Sequence, residues 1–126
     1  MKNVKASILL FLFIMIFVYF ANASILKLCD NIENVTEEIE LNIIEGKNED
    51  AYIKSIELMD MIQNKNFITS VYVSHQEVDI LVTDSAKLSV YLSHNNVSEA
   101  NATLHALKYN SRNMRKLQIP NLENIL

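Results

Sequence analysis

His75 and Asp79 stand four residues apart, so on a helix they share one face. Glu77, between them, points elsewhere. With His94 or His105 brought in from another helix, that face could hold a metal ion. A zinc site takes three or four convergent protein ligands, whereas the sequence supplies two at a known spacing. The competing reading has His75 half-buried at the edge of a helical seam, its ring hydrogen-bonded to Asp79 or to a neighbouring helix. The expectation is therefore no metal and no cofactor, with His75 and Asp79 the candidate ligands if one binds. The lone Cys29 has no histidine near it in sequence, and no serine sits in a Gly-flanked elbow. Glu37-Glu38 and Glu49-Asp50 read as solvated helix faces. No catalytic constellation emerges, and the expectation is a protein that is not an enzyme.

Cys29 reads as a small apolar core residue, or alternatively as a thiol that could bridge two copies. The basic residues Lys108, Arg112, Arg115 and Lys116 form the other candidate feature, with no acid between Ala100 and Leu122. Asp30 to Asp60 holds ten acids against only Lys47 and Lys54. The expectation is that the basic end complements its own helix dipole and faces the acidic first hairpin. A contact with anionic lipid or a partner is the sharper alternative for the same four residues. A formal charge of -4 gives no footprint for nucleic acid.

These side chains must be positioned by helices. The 126 residues include one Gly and one Pro, too few for the tight turns of sandwiches and barrels. Lys2 and Lys5 precede the uncharged run Ala6–Ala23, long enough as a helix, at about 27 Å, to cross a bilayer core of about 30 Å. The lysines should stay cytoplasmic, which sends the remainder outside. Ala21-Asn22-Ala23 also fits a signal-peptide cleavage site, so a secreted protein cut after Ala23 is the alternative. The phase Phe11, Ile14, Val18, Ala21 runs on into Ile25, Leu28, Ile32, Val35, Ile39 and Ile43. That continuity favours one uncleaved helix leaving the membrane. The domains expected are 1–23, the anchor or signal peptide, and 24–126, an extracytoplasmic bundle.

Gly46 suits a helix C-cap and Asn48 an N-cap. Tyr52, Ile53, Ile56, Met59 and Ile62 give the second helix its face. In the third, Phe67, Val71, Ser74, Val78, Leu81, Ser85, Leu88 and Leu92 alternate spacings of four and three, a coiled-coil-like seam. Ser74 and Ser85 would let a neighbour approach closely. Tyr72, Ile80, Val90 and Tyr91 hint at a second apolar face on that helix. Val97 and Ser98 read as staple and N-cap for a fourth helix with the face Ala100, Leu104, Leu107, Ser111, Met114, which Pro120 stops. The tail 121–126 keeps three apolar residues that could pack back on the bundle. No internal repeat shows, and the sequons at Asn34, Asn96 and Asn101 arise easily in an Asn-rich chain.

This layout resembles the domain of unknown function 4363 family of endospore-forming clostridia and their relatives. The likeness rests on the basic start, the membrane helix, His75-Gln76-Glu77-Val78-Asp79 in the central helix, and the closing Pro120-Asn121-Leu122-Glu123-Asn124-Ile125-Leu126. It implies an exported, membrane-held protein of a Gram-positive bacterium and assigns no activity. The fold expected is all-α: one N-terminal transmembrane helix continuing into an antiparallel three- or four-helix bundle. The partners expected are the membrane, through residues 6–23, and a protein partner or a second copy.

Overall fold

The computed structural model describes residues 2–65 and 75–118. Four helices account for nearly all of them: α1 (Lys2–Ile44), α2 (Asn48–Asn64), α3 (His75–Ser93) and α4 (Val97–Gln118). The 43 residues of α1 contain neither Gly nor Pro, and the helix runs unbroken for about 65 Å. From Lys2 to Phe20 no side chain is buried; Ile8 through Phe17 all stand open. Burial begins at Ala21, 6% exposed, and continues through Ile25, Leu28, Cys29, Ile32, Thr36 and Ile39, with Val35 and Ile43 packed against the core. The stripe expected from the helical phase is the stripe the bundle covers.

The other three helices close around that upper half. Each helix packs against its two neighbours in the ring α1-α2-α3-α4. Lys108, Arg112 and Arg115 meet Glu40, Glu33 and Asp30 in reversed order, so α4 runs antiparallel to α1, and α2 folds back along α1 from the short turn at Gly46, where Lys54 meets Glu38. The result is an up-down-up-down bundle of four helices, with α3 diagonally across from α1. The C-terminal ends of α2 and α4 therefore return to the level where α1 emerges from its exposed half.

Both hairpin turns use the same device. At the first, the Gly46 N–H donates to the Ile43 carbonyl at 3.1 Å and the Lys47 N–H to Asn42 at 2.7 Å, with Gly46 at φ +77°. At the second, the Asn95 N–H donates to Leu92 at 3.1 Å and the Asn96 N–H to Tyr91 at 2.8 Å, with Asn95 at φ +57°. These are Schellman closures, which need a left-handed residue; Gly takes that conformation freely and Asn tolerates it. The likeness extends into the helices. Ile32, Thr36 and Ile39 before the first turn match Leu81, Ser85 and Leu88 before the second, and Ala51 matches Ala100 after it, all buried. What repeats is burial, not residue identity, which is why the sequence showed no repeat.

Several sequence expectations shift here. The core face of α2 is Ala51, Ser55, Leu58 and Ile62; of the face expected from the large apolar residues, only Ile62 lies on it. Ile56 and Met59 are half-buried, and Tyr52 and Ile53 are exposed. Interaxial distance depends on the side chains at the contact, and Ala51 and Ser55 are short enough to bring α2 close to its neighbours. The caps also move by one or two residues. Lys47 occupies the α2 N-cap with no side-chain hydrogen bond, and Asn48 is the first residue inside. For α4, Asn96 takes the cap position and its Oδ1 accepts from the Glu99 N–H at 3.4 Å, while Val97 opens the helix and Ser98 lies within it.

The α3 and α4 faces hold as expected where they are described: Val78, Leu81, Ser85, Leu88 and Leu92 on one, Ala100, Leu104, Leu107, Ser111 and Met114 on the other. Phe67, Val71, Tyr72, Ser74 and the tail lie outside the described residues. Ser85 is fully buried, its hydroxyl donating to the Val82 carbonyl of its own helix at 2.8 Å. Replacing it with Leu adds methylenes where no room exists. Ser85→Leu should destabilise the bundle by roughly 1–3 kcal/mol, read as a lowered midpoint in chemical unfolding. An unchanged or raised midpoint would show that this seam is loosely packed.

Candidate functional site

The residues singled out for chemistry do not gather. His75 opens α3 at the end of the bundle where α1 emerges, whereas His94 follows the last residue of α3 at the opposite end. At 1.5 Å per residue the two backbones stand about 28 Å apart. His94 is turned onto its own helix, with Nδ1 2.9 Å from the Val90 carbonyl and 3.0 Å from Ser93 Oγ. His105 is exposed on α4. Asp79 is exposed on α3, one turn from His75 as the spacing required. Among the described residues no three of His, Cys, Asp and Glu converge on a point. A cavity of about 50 Å³ does lie near this end of α3, lined by Glu77, Ile80, Leu81, Asn110, Asn113 and Met114. It has room for a water or two and falls far below the volumes that hold small ligands.

Cys29 faces inward, 1% exposed. Burial pushes its thiol up to about 11, against a smaller opposing effect of the nearby Ser111 hydroxyl. Ser111 Oγ donates to the Cys29 carbonyl at 3.2 Å and so ties α4 to α1. A thiol held protonated and covered is a poor nucleophile. It is equally out of reach of a second copy, so the disulfide between copies weighed from the sequence needs the bundle to open first.

The basic residues of α4 find the acids of α1. Lys108 Nζ lies 3.0 Å from Glu40 Oε2, Arg112 donates through Nε and Nη2 to Glu33 Oε1 at 3.2 and 2.8 Å, and Arg115 binds Asp30. Three of the four candidate contact residues thus form a ladder along one seam, as the charge-sorting expectation proposed. Lys116, the next residue, is exposed. Lys108 and Glu40 are the most enclosed rung, and Glu40 Oε1 is buried with no donor among the described residues. Removing Lys108 would leave that carboxylate uncompensated. Periodicity could not find the ladder, because its members lie off the apolar stripe. The signal available was the block of acids in the first hairpin against the block of bases in the last helix.

Two surfaces with exposed apolar residues remain. The outer face of α3 carries a shallow apolar depression of about 460 Å³ along Val82, Thr83, Ala86, Lys87, Val90 and Tyr91. Ile80 and Val90 are exposed on this helix, as its second apolar face implied, while Tyr91 packs against the core. The apolar flank of α2, with Tyr52 and Ile53 exposed, is the other.

Fold and surface together define a class: a small four-helix bundle whose first helix extends beyond it as an exposed apolar rod. Within that class the chain belongs to the family described as domain of unknown function (DUF4363), whose model matches residues 19–125. The match spans the whole bundle and the last turn of the apolar run. No curated protein and no solved structure matches the chain.

The Arg112 hydrogen bonds hold the Glu33 carboxyl below its ordinary value of 4.5. A carboxyl lowered on folding stabilises the folded state above its unfolded value, and that contribution is lost as pH falls through the lower folded value. Melting temperature should therefore drop between pH 6 and pH 3. Arg112→Gln should lower it slightly at pH 6 and shrink the drop. A variant whose pH profile superimposes on the parent would mean that this rung adds nothing.

Proposed function

We propose that this protein is a single-pass, membrane-anchored subunit of a bacterial cell envelope, with no enzymatic activity of its own. It presents its helical bundle outside the membrane to a protein partner or to a second copy. The observation that carries the reading is the continuity of α1, exposed and apolar from Ala6 to Phe20 and enclosed by the bundle from Ala21 onward. One segment of this helix is long and apolar enough to cross a bilayer, and Lys2 and Lys5 stand at the end that the positive-inside rule keeps in the cytoplasm. Tyr19 and Phe20 lie at the other end in an edge-to-face pair, where aromatic side chains favour the membrane–water interface.

The alternative is a leader cut after Ala23; what supports the uncut anchor is the continuity of the helix across that point. A cut after Ala23 would remove Ala21 from the buried stripe and start the bundle two residues before Ile25, whereas the uncut helix carries that stripe without a break. The non-enzymatic reading is supported by a buried, protonated Cys29 and by a His94 turned back on its own helix. The binding role is supported by the exposed apolar residues on the outer faces of α2 and α3, where Tyr52, Ile53, Ile80 and Val90 meet solvent.

The test is the intact mass and location of the C-terminally tagged chain in a Gram-positive host, with protease added to protoplasts. Full-length chain in the membrane, its tag removed by external protease, is the expected result. A chain lacking residues 1–23 in the medium would replace the anchored subunit with a secreted bundle, and a tag that resists protease would reverse the topology.

A further inference from the structure

The seams of the ring differ in what lines them. Ion pairs cross between α4 and α1 and between α1 and α2, and the Asn110 side chain of α4 donates to Asp84 of α3. The outer side of the α2–α3 seam is apolar along its middle. At the end away from the apolar rod, a cleft of about 400 Å³ sets Tyr52 of α2 beside Leu92 and Ser93 of α3. That cleft fixes which flanks of the two helices border their shared seam. Ile56 and Met59 share the strip of Tyr52, at spacings of four and seven residues. Val90, Ala86 and Val82 share the strip of Ser93, at spacings of three, seven and eleven, and line the depression of about 460 Å³ on α3. Depression and cleft lie end to end as one groove from Val82 to Ser93, about 17 Å or three helical turns.

A groove of three turns with apolar walls fits an amphipathic helix, which enters it through residues at i, i+3 or i+4, and i+7. The charges beside the groove say what else that helix carries. Four acids of α2, Glu49, Asp50, Glu57 and Asp60, stand against one base, Lys54, which is bound to Glu38 and Glu57. Glu49 and Asp60 lie eleven residues apart, three turns, on the outward edge of the Tyr52 strip, and both are exposed. Neither has an ion-pair partner among the described residues. Across the groove α3 offers Lys87, whose charge Asp84 offsets from the same helix. One edge of the groove is therefore uncompensated negative charge. A second copy would set this surface against itself, acids facing acids, whereas a basic partner meets no such repulsion.

We propose that the groove between α2 and α3 docks an amphipathic helix of another envelope protein. That helix has apolar residues at three- and four-residue spacing and Lys or Arg along the side that meets Glu49 and Asp60. The docking deepens the reading of the chain as an anchored, partner-binding subunit and rests on it. The groove opens at the hairpin end of the bundle, where Asn48 and Asn95 line the cleft, so the partner helix is met on the envelope side and clear of the bilayer.

The experiment expresses the full chain in the bacterium that encodes it, with the photoreactive residue p-benzoylphenylalanine replacing Tyr52, Val90 or, as the control on α4, the exposed Tyr109. After irradiation of whole cells the cross-linked peptides are sequenced by mass spectrometry. Positions 52 and 90 should capture the same segment of another protein, with the basic amphipathic pattern, and position 109 should not. Glu49→Lys/Asp60→Lys should lower the yield at least about tenfold, and Glu49→Gln/Asp60→Asn about threefold. If the reversed variant fails to fold, the neutral pair decides alone. No adduct from either position, an adduct within or between copies of this chain, or a captured segment without Lys or Arg beside its apolar stripe overturns the docking. A yield indifferent to Glu49 and Asp60 overturns it equally. An adduct between copies leaves the anchored subunit standing, whereas a chain lacking residues 1–23 in the medium overturns the anchored reading, whatever the groove holds.

Discussion

A helix that leaves a membrane and becomes part of a bundle must satisfy two environments with one phase. Side chains before Ala21 stand open on every side, as a bilayer would allow, whereas those after it put their apolar groups on one stripe. In α1 the stripe through Ala21, Ile25, Leu28, Ile32 and Ile39 continues the phase of the apolar run without insertion, Gly or Pro. Every other feature takes its place from that rod. Because α1 is one unbroken helix from Lys2 to Ile44, the bundle is fixed relative to the end of the apolar run. Because its buried stripe is single, three helices suffice to enclose it.

The rest of the bundle is set by small residues in the seams and charges beside them. Thr36, Ser55, Ser85 and Ser111 are buried, and three of the four donate their hydroxyls to carbonyls of their own helices. Each such bond satisfies a polar group that burial would otherwise penalise and leaves a side chain short enough for close helix contact. Ser111 is the exception that crosses between helices, to the Cys29 carbonyl. Apolar packing alone would let α4 slide along α1. The rungs Lys108–Glu40, Arg112–Glu33 and Arg115–Asp30 select one register, and a one-turn slip would lose all three.

Much of this was legible in the sequence, for physical reasons that differ by helix. The stripes of α1, α3 and α4 were readable because their buried positions are mostly large and apolar, from Ile25 to Ile39, Val78 to Leu92 and Leu104 to Met114. The face of α2 was not, because its seam is carried by Ala51 and Ser55 while Tyr52, Ile53, Ile56 and Met59 mark a flank. A periodicity drawn through large residues follows the flank. The turn at Gly46 was readable from its glycine; the matching turn at Asn95 carries none, and Asn takes the left-handed region without announcing it. The histidines and the thiol suggested chemistry by type, but His94 and His75 lie at opposite ends of one helix and Cys29 lies inside.

The central claim is that α1 crosses from its apolar rod into the bundle as one helix. Amide hydrogen exchange of the full chain in lipid, resolved across Phe20 to Ile25, tests it most directly. An unbroken helix predicts that these amides exchange slowly and at similar rates, with no gap between the apolar run and the bundle core. A cluster of fast-exchanging amides around Asn22 and Ala23 would mean a hinge at the exit, and the fixed height of the bundle would be lost with it.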